Sequence, residues 1–420
     1  MTSLIRIRDF RLLWAGQATS SLGDAITNLA LLLTAQRLTG SVSAVAATAI
    51  AIALPQLIIG MPAGVLVDRW DRRTVMIVSD FARGVLVLGF LLVTSADQLW
   101  LMWTIAFAQA AVGSFFNPAR GALVPDIVGR ERLMAANSVS ETTRIVFGVI
   151  GTGIAGVYAG FAAGLAMLFV IDSITFFVSA ILETRIATRG RPARSEPKAL
   201  GAELMAGLRT ITATRPLVGV LTGVGVAMMG LGAVNVLLIP FVVDDLGVAE
   251  TWFGALEAAQ VSSMVLAGAL LATLSHRVRP GSVMTLGLVG AGLVVGSMAL
   301  VTEAWHLVIA LFMVGWFVTP LQASAHTILQ REVEPSMLGR AGAGFSTVAT
   351  TANVASMALA GVAATFLGVR GVFLAAGVLT MVAGALAWAL THDHSAEPAP
   401  APAAAFGPQG EPDNAPPALI

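Results

Sequence analysis

The chain has 420 residues, of which 56% are hydrophobic and only 11% are charged. Soluble domains carry about 25% charged residues, so this composition excludes a soluble globular protein and predicts a surface that mostly faces lipid. The zero net charge argues against a field that draws nucleic acid. Because the chain has no cysteine, disulfides, thiolate catalysis and cysteine-ligated metals are excluded.

Apolar runs long enough to cross a bilayer, about 20 residues each, recur along the whole chain. They predict an all-α membrane protein with twelve transmembrane helices in two six-helix bundles. The first run is too long for a signal-peptide core, so we expect it to remain as a helix. The predicted spans are 12–37, 43–67, 74–95, 98–121, 133–157, 161–184, 216–243, 251–275, 281–302, 305–326, 338–365 and 368–391.

Four regions follow from these spans. Residues 1–184 form the N-terminal bundle and residues 216–391 the C-terminal bundle. The connecting segment 185–215 begins polar and continues as a predicted amphipathic helix over 200–211, which we expect on the membrane surface. The segment 392–420 is rich in proline and alanine and is predicted to be disordered.

Basic residues gather in the segments that would lie on one side of the membrane, and Arg37 and Arg370 are the exceptions. Segments on the other side carry acids instead. By the positive-inside rule, this bias predicts a multi-pass protein of the cell (inner) membrane with both termini in the cytoplasm. The acids of the outer segments are Asp97, Asp244, Asp245, Glu250 and Glu303.

The strongest local motif joins spans 2 and 3. It consists of Gly64, Asp68, Arg69, Arg72 and Arg73 at the spacing G-x-x-x-D-R-x-x-R-R. A glycine permits close helix approach, an acid at a helix end can pair with an arginine, and the arginines keep the loop inside. The simpler interpretation is an ordinary positive-inside loop. The pattern resembles the loop signature of the major facilitator superfamily, which implies a conformational gate here.

Further segments are similar to the macrolide-efflux and siderophore-exporter branch of that superfamily. They are Asp9–Trp14, Ser21–Asp24, Asn117–Arg120, Leu123–Asp126, Arg130–Leu133 and Glu203–Arg209. The resemblance implies the family fold, secondary transport and proton-driven export. The chain departs from drug antiporters at Thr152, where they usually have proline. The pattern G-x-G-x-x-G at Gly151–Gly156 lies in an apolar helical run, so we interpret it as helix packing rather than a nucleotide site.

Ionisable residues inside a bilayer are costly and therefore need a reason. One group is predicted to couple protons or bind substrate: Asp24, Asn28, Glu141, Arg144, Asp172 and Glu257. Asp80 and Arg83 are expected to extend the gate signature. The spacing of Asp80 with Arg83, and of Glu141 with Arg144, also allows a purely structural pair within one helix.

A second group of side chains is predicted to line a substrate cavity. It comprises Gln109, Asn235, Gln260, Trp316, Gln322 and Asn353. For the polar members the alternative is a hydrogen bond between helices, and for Trp316 the alternative is a lipid-facing position.

Together these features predict a proton-coupled exporter of an amphipathic small molecule such as a drug, macrolide or siderophore. The alternatives are a lysophospholipid or lipid translocator, an uptake carrier, and, in other classes, a membrane sensor or a membrane enzyme. The five histidines lack metal-ligand spacing, and no Walker A sequence is present. We therefore expect no cofactor and no metal, a small-molecule substrate and membrane lipids as partners, no nucleic acid, and a monomer.

Overall fold

The computed structural model describes residues 2–67, 69–161, 164–190, 205, 209, 212, 215–274, 277–334 and 337–392. Over these residues the chain is almost entirely helical and contains no strand. Asp68 of the loop signature lies outside the described residues. So do most of the predicted surface helix over 200–211 and the tail from 393.

The first half contains six long helices after a short helix at Thr2–Ile5. They are α1 Arg8–Thr39, α2 Val42–Val67, α3 Arg72–Leu88, α4 Leu99–Val128, α5 Leu133–Ala159 and α6 Gly164–Thr184. Asp71 caps α3 by accepting a hydrogen bond from the Thr74 backbone N–H at 2.8 Å.

The second half begins with four helices and ends in one long helical run. They are α7 Arg215–Pro240, α8 Trp252–Leu274, α9 Pro280–Ser297, α10 Ala304–Glu332 and the run Leu338–His392. Gly368 breaks that run with φ 69° and ψ 166°, a conformation that glycine adopts without steric penalty. We call residues 338–367 α11 and residues 369–392 α12. The twelve predicted segments thus coincide with helices to within a few residues at most ends.

Ten helical stretches are long and apolar enough to cross a membrane. Helix α1 is not among them, because residues such as Gln17, Ser21 and Asp24 lower its hydropathy. The stretch Ala341–Ala389 counts once although it contains the break at Gly368. The chain is therefore a multi-pass, all-helical membrane protein.

The helices pack mainly within each half. Helix α1 packs on α5 and α6, and α3 packs on α4 and α6. In the second half, α7 and α9 pack on the final run, and α8 packs on α10. The halves meet chiefly where α2 contacts the final run and where α5 contacts α8. This arrangement leaves a space between the halves.

Glycines allow several of these contacts, as the sequence predicts. Gly254 of α8 lies against Gly153 of α5, where an added Cβ would be 2.8 Å from the Gly153 Cα. Gly292 of α9 lies similarly against Gly377 of α12. The role of Gly64 in close helix approach stays a prediction, and no described atom lies within 4 Å of the position that its Cβ would take. Small residues at helix contacts are typical of membrane bundles.

Helices alternate in direction, so the bundle has two ends of different charge. The basic end carries Arg8, Arg69, Arg132, Arg189, Arg279 and Arg331. The opposite end carries Arg37, Asp97, Asp244, Asp245, Glu250, Glu303 and Arg370.

Candidate functional site

A cavity of about 610 Å³ lies between the two halves. Its polar lining comes from both: Gln17, Ser20, Ser21, Asp24, Asn28, Asn117, Arg120, Arg144, Thr152, Asn235, Glu257 and Gln260. The apolar lining includes Leu29, Leu32, Ile52, Leu231, Leu238, Phe253, Leu311 and Met357. Cavities of about 300–1,000 Å³ with a few polar groups among apolar ones hold small molecules.

One wall of this cavity carries an ion pair between helices. Arg83 of α3 donates to the Asp24 carboxylate of α1, and its Nη1 lies 3.6 Å from Asp80 Oδ1. The side chain of Asp24 is 41% exposed, whereas Asp80 is completely buried. The Arg83 guanidinium also lies 4.1 Å from the centre of the Phe176 ring on α6. Arg83 therefore connects a carboxylate at the cavity to one in the protein interior.

Asp172 is a second buried acid close to this ion pair. Its Oδ2 accepts a hydrogen bond of 2.5 Å from the Thr27 hydroxyl of α1, and its Oδ1 one of 3.2 Å from Thr175. Gly23 of α1 leaves the space for these groups, since its Cβ would clash with Asp172 and Thr175. Asp172 is behind the cavity wall and is not part of the lining.

Glu141 and Arg144 of α5 form the intrahelical pair that their spacing predicts. Arg144 donates to Glu141 through Nε at 3.0 Å and through Nη2 at 2.5 Å. Both side chains are more than half exposed. Arg144 lines the cavity, whereas Glu141 does not.

The other predicted site residues divide into two groups. Asp24, Asn28, Asn235, Glu257 and Gln260 line the cavity. Four residues lie outside the lining in this conformation, namely Gln109, Trp316, Gln322 and Asn353. Of these, Gln322 is exposed, and the Asn353 amide donates to the Met228 carbonyl of α7 at 3.4 Å. Asn353 thus makes the hydrogen bond between helices that was the alternative interpretation.

The arginines of the loop signature bind within the first half. Arg72 donates to the Ala122 carbonyl and to Asp126 of α4, both at 3.2 Å. Arg73 donates to the Glu183 carbonyl at 3.1 Å and to the Thr184 carbonyl. Arg69 is exposed. The signature thus ties the start of α3 to the ends of α4 and α6, whereas Asp80 and Arg83 belong to the cavity wall.

At the opposite end, charged side chains join the two halves. Arg37 of α1 donates to Glu250 just before α8 and to the Ala159 carbonyl of α5. Gln36 donates to Asp244. These bonds lie next to the contact between Gly153 and Gly254 and close this end of the cavity.

The two exceptions to the basic-residue bias now have an explanation. Arg37 binds Glu250, and Arg370 binds Asp245 at 3.0 Å together with the carbonyls of Ala299 and Val301. Each arginine is therefore neutralised by an acid at its own end. No local pattern could have paired Arg37 with an acid more than 200 positions away.

Sequence reasoning missed two features of the site. Glu183, in the last turn of α6, is 1% exposed, although it ends an apolar run and Arg185 follows two positions later. That position is typical of a solvated helix end. Arg120 lines the cavity beside Arg144. From the sequence, Arg120 belongs to a motif that resembles the exporter branch, and it was not predicted as a cavity residue.

Comparisons with known proteins agree with this geometry. The profile of a major facilitator family described as transmembrane secretion effectors matches residues 2–409. The enterobactin exporter EntS of Escherichia coli O127:H6 is 28% identical over 307 residues, 72% of each chain. The uncharacterized MFS-type transporter YkuC of Bacillus subtilis is 23% identical over 351 residues, covering 80% of this chain and 81% of the relative.

Solved structures share the fold at low sequence identity. A bacterial homologue of the human lysosomal transporter Spinster, inward-facing and unoccupied, superposes with TM-score 0.76 at 13% identity, covering 92% of this chain and 97% of that one. A bacterial homologue of the iron transporter ferroportin, also inward-facing, gives 0.68 at 15% identity over 94% and 100%. These relatives are transporters rather than enzymes. The chain is therefore a membrane transporter of the major facilitator superfamily and belongs to its family of transmembrane secretion effectors.

Proposed function

We propose that this protein exports an amphipathic small molecule by proton antiport. The observation that carries the proposal is the cavity between the halves, where Asp24, Arg144 and Glu257 stand among leucine, isoleucine and phenylalanine side chains. A molecule with an apolar body and polar or charged groups fits such a lining. The similarity to a siderophore exporter favours export and an enterobactin-like substrate.

The proposed membrane arrangement has twelve spans. Helix α1 would be the span that hydropathy alone does not identify, and Gly368 would separate two spans in the final run. The basic end would face the cytoplasm, with both termini there, because positive residues are retained on that side. The chain would function as a monomer in the inner membrane, without a cofactor.

In this orientation the described conformation is inward-facing. The halves are joined at the opposite end by Arg37 and Glu250 and by the contact of Gly153 with Gly254. Transport would proceed by closing the basic end around substrate and opening the opposite end. Two bundles that rock about a central site are the general architecture for alternating access.

The ion pair at the cavity wall is the proposed coupling element. A proton on Asp24 would neutralise that carboxylate and release Arg83 towards Asp80, which lies in the same cluster. The charge of the cavity wall then differs between the protonated and the unprotonated state of Asp24. A ligand or proton can shift a conformational equilibrium only through such a difference between states.

The test is export from inverted membrane vesicles or liposomes that contain the purified full chain. Enterobactin is the first probe, and a macrolide, a cationic drug and a lysophospholipid complete the panel. We expect uptake of one amphipathic probe into inverted vesicles under an imposed proton gradient, collapse of uptake with a protonophore, and saturation. Uptake that survives the protonophore would contradict the proposal of proton coupling. Preference for the lysophospholipid would show that the substrate is a lipid rather than an amphipathic drug or siderophore.

A further inference from the structure

The buried acid Glu183 has no role in the substrate cavity, yet its surroundings are unusual. Its side chain is 1% exposed, and neither carboxylate oxygen has a hydrogen-bond partner among the described residues. An ionised carboxylate without partners in such a place is strongly disfavoured. Glu183 therefore favours its protonated form in this conformation, and it can ionise only when water or a new partner reaches it.

Glu183 continues a stripe of polar groups on α6 that begins at Asp172, behind the cavity wall. Asp172, Ser179 and Glu183 lie at helical spacing on the same face of α6. Asp80 of α3 faces this stripe, and Glu183 interacts electrostatically with Asp80 and Arg83. The stripe runs towards the basic end, whereas Asp24 opens to the cavity.

The charges around the stripe do not balance. Arg83 binds Asp24 and lies 3.6 Å from Asp80, whereas Glu183 lies near the same guanidinium without a hydrogen bond to it. Arg73 binds the backbone carbonyl of Glu183, not its carboxylate. Asp80, like Glu183, has both oxygens without a hydrogen-bond partner in the described part of the chain. Asp172 adds a further buried carboxyl near Arg83. One guanidinium cannot neutralise all four carboxylates, so the buried members of the cluster favour the protonated form.

Ser179 lies one helical turn before Glu183 and is completely buried, and its hydroxyl lacks a hydrogen-bond partner within the described residues. Gly16 of α1 covers it, with an added Cβ 3.0 Å from the Ser179 oxygen. A hydroxyl can accept one proton while it donates another, so it carries a proton onward without acquiring charge.

We propose that Glu183 is the residue through which protons leave the buried carboxyl cluster at the basic end. The proposal rests on the proton antiport proposed above. Protonated Glu183 first gives its proton to water that reaches it at the basic end. The Glu183 carboxylate then takes the Ser179 proton while the Ser179 oxygen takes the proton of the Asp80 carboxyl, so that one proton moves and Asp80 is left ionised beside Arg83.

The loop signature controls the transfer from Glu183 to water. Arg73 holds the end of α6 through the carbonyls of Glu183 and Thr184, and while it does so the Glu183 side chain stays buried. Protons can thus leave while substrate fills the cavity, because none of the cavity-lining residues belongs to the route from Asp80 to Glu183.

The first experiment needs no transported substrate. Infrared difference spectra of the purified full chain, recorded across a pH titration, report protonated carboxyl groups. We expect Glu183→Gln to remove one protonated-carboxyl component that wild type and the control Glu131→Gln retain, the control being an exposed acid at the same end. A spectrum of Glu183→Gln identical to wild type would overturn the proposal, whatever the protein transports.

The second experiment uses liposomes and the panel probe that wild type transports. Glu183→Gln should lower proton-driven transport by about tenfold or more, leave probe exchange without a gradient within about twofold, and be partly restored in Glu183→Asp. Wild-type rates of proton-driven transport in Glu183→Gln would refute the route. If wild type itself transports no probe under a proton gradient, the antiport proposal fails, and the infrared result still decides whether Glu183 carries a proton.

Discussion

Arg83 of α3 binds Asp24 of α1 at the cavity wall, and the same guanidinium lies 3.6 Å from the buried Asp80. The first acid is accessible to cavity water and the second is not. One guanidinium therefore interacts with two acids, one accessible from the cavity and one buried.

Replacing Asp24 tests this ion pair. Asp24→Asn should abolish proton-driven transport, because the wall can no longer change charge at that position. It should also lower stability by about 1–3 kcal/mol, since a largely buried guanidinium loses one of its acceptors. Melting in detergent and transport in liposomes measure the two effects. Asp24→Glu, which keeps the charge, should retain part of the activity, and full proton-driven activity of Asp24→Asn would contradict the role.

Charge reversal at Arg37 tests whether its ion pair with Glu250 closes the end of the bundle opposite the basic end. Arg37→Glu should open this end, because it repels Glu250 and removes the bond to the Ala159 carbonyl. The absence of cysteine permits spin labels at Thr39→Cys and Thr251→Cys. We expect a longer distance distribution in Arg37→Glu and its reversal in the double variant with Glu250→Arg. Glu303→Gln is the control at the same end, and equal distances in all variants would argue against the closure.

Gly254 of α8 makes a second test of that closure, independent of charge. Gly254→Ala places a methyl group 2.8 Å from the Gly153 Cα, so the two helices must separate at the opposite end. Gly268→Ala on the same helix is the matched control, because its methyl group would lie 3.7 Å from Thr319. The same spin-label pair should report opening in the first variant and no change in the second.

Gly23 of α1 should be essential for packing around Asp172. Gly23→Ala forces a methyl group against Asp172 and Thr175, and overpacking of this kind costs about 1–3 kcal/mol. Gly148→Ala is the contrast, since nothing lies within 4 Å of the added methyl group and alanine favours helix by about 1 kcal/mol. Thermal melting should therefore move in opposite directions, and a stabilised Gly23→Ala would show that α1 and α6 are packed differently.

The hydrogen bonds of Asp9 with Ala187 and Thr188, which lie outside the membrane spans, should depend on pH. Burial raises the pKa of Asp9, but hydrogen bonds from Thr188 and Ala187 outweigh it, so the pKa lies below its ordinary value of 3.8. The contact is thus fully stabilising above that value and is lost as pH falls through the lowered pKa. In wild type the protection factors of the Ala187 and Thr188 amides, measured by hydrogen exchange, should fall only in acid. In Asp9→Asn they should already be lower at neutral pH.

The length of the apolar runs predicted the helices well, because a membrane helix must satisfy its own backbone. The spacing of Asp80 and Arg83 also predicted their contact. The pair of Arg83 with Asp24 was not predictable, since it joins residues of two different helices that are 59 positions apart in the chain. Burial of Glu183 was likewise hidden, because it depends on how α6 packs against α3 rather than on local hydropathy.

The closure at the opposite end relies on an ion pair, Arg37 with Glu250, in which the arginine side chain is 36% exposed. Pairs of this kind contribute about 0.2–1 kcal/mol and weaken as salt screens them over about 8 Å. The balance between open and closed forms should therefore shift with ionic strength on that side of the membrane. The salt content of the solution there becomes a determinant of how often the transporter opens to it.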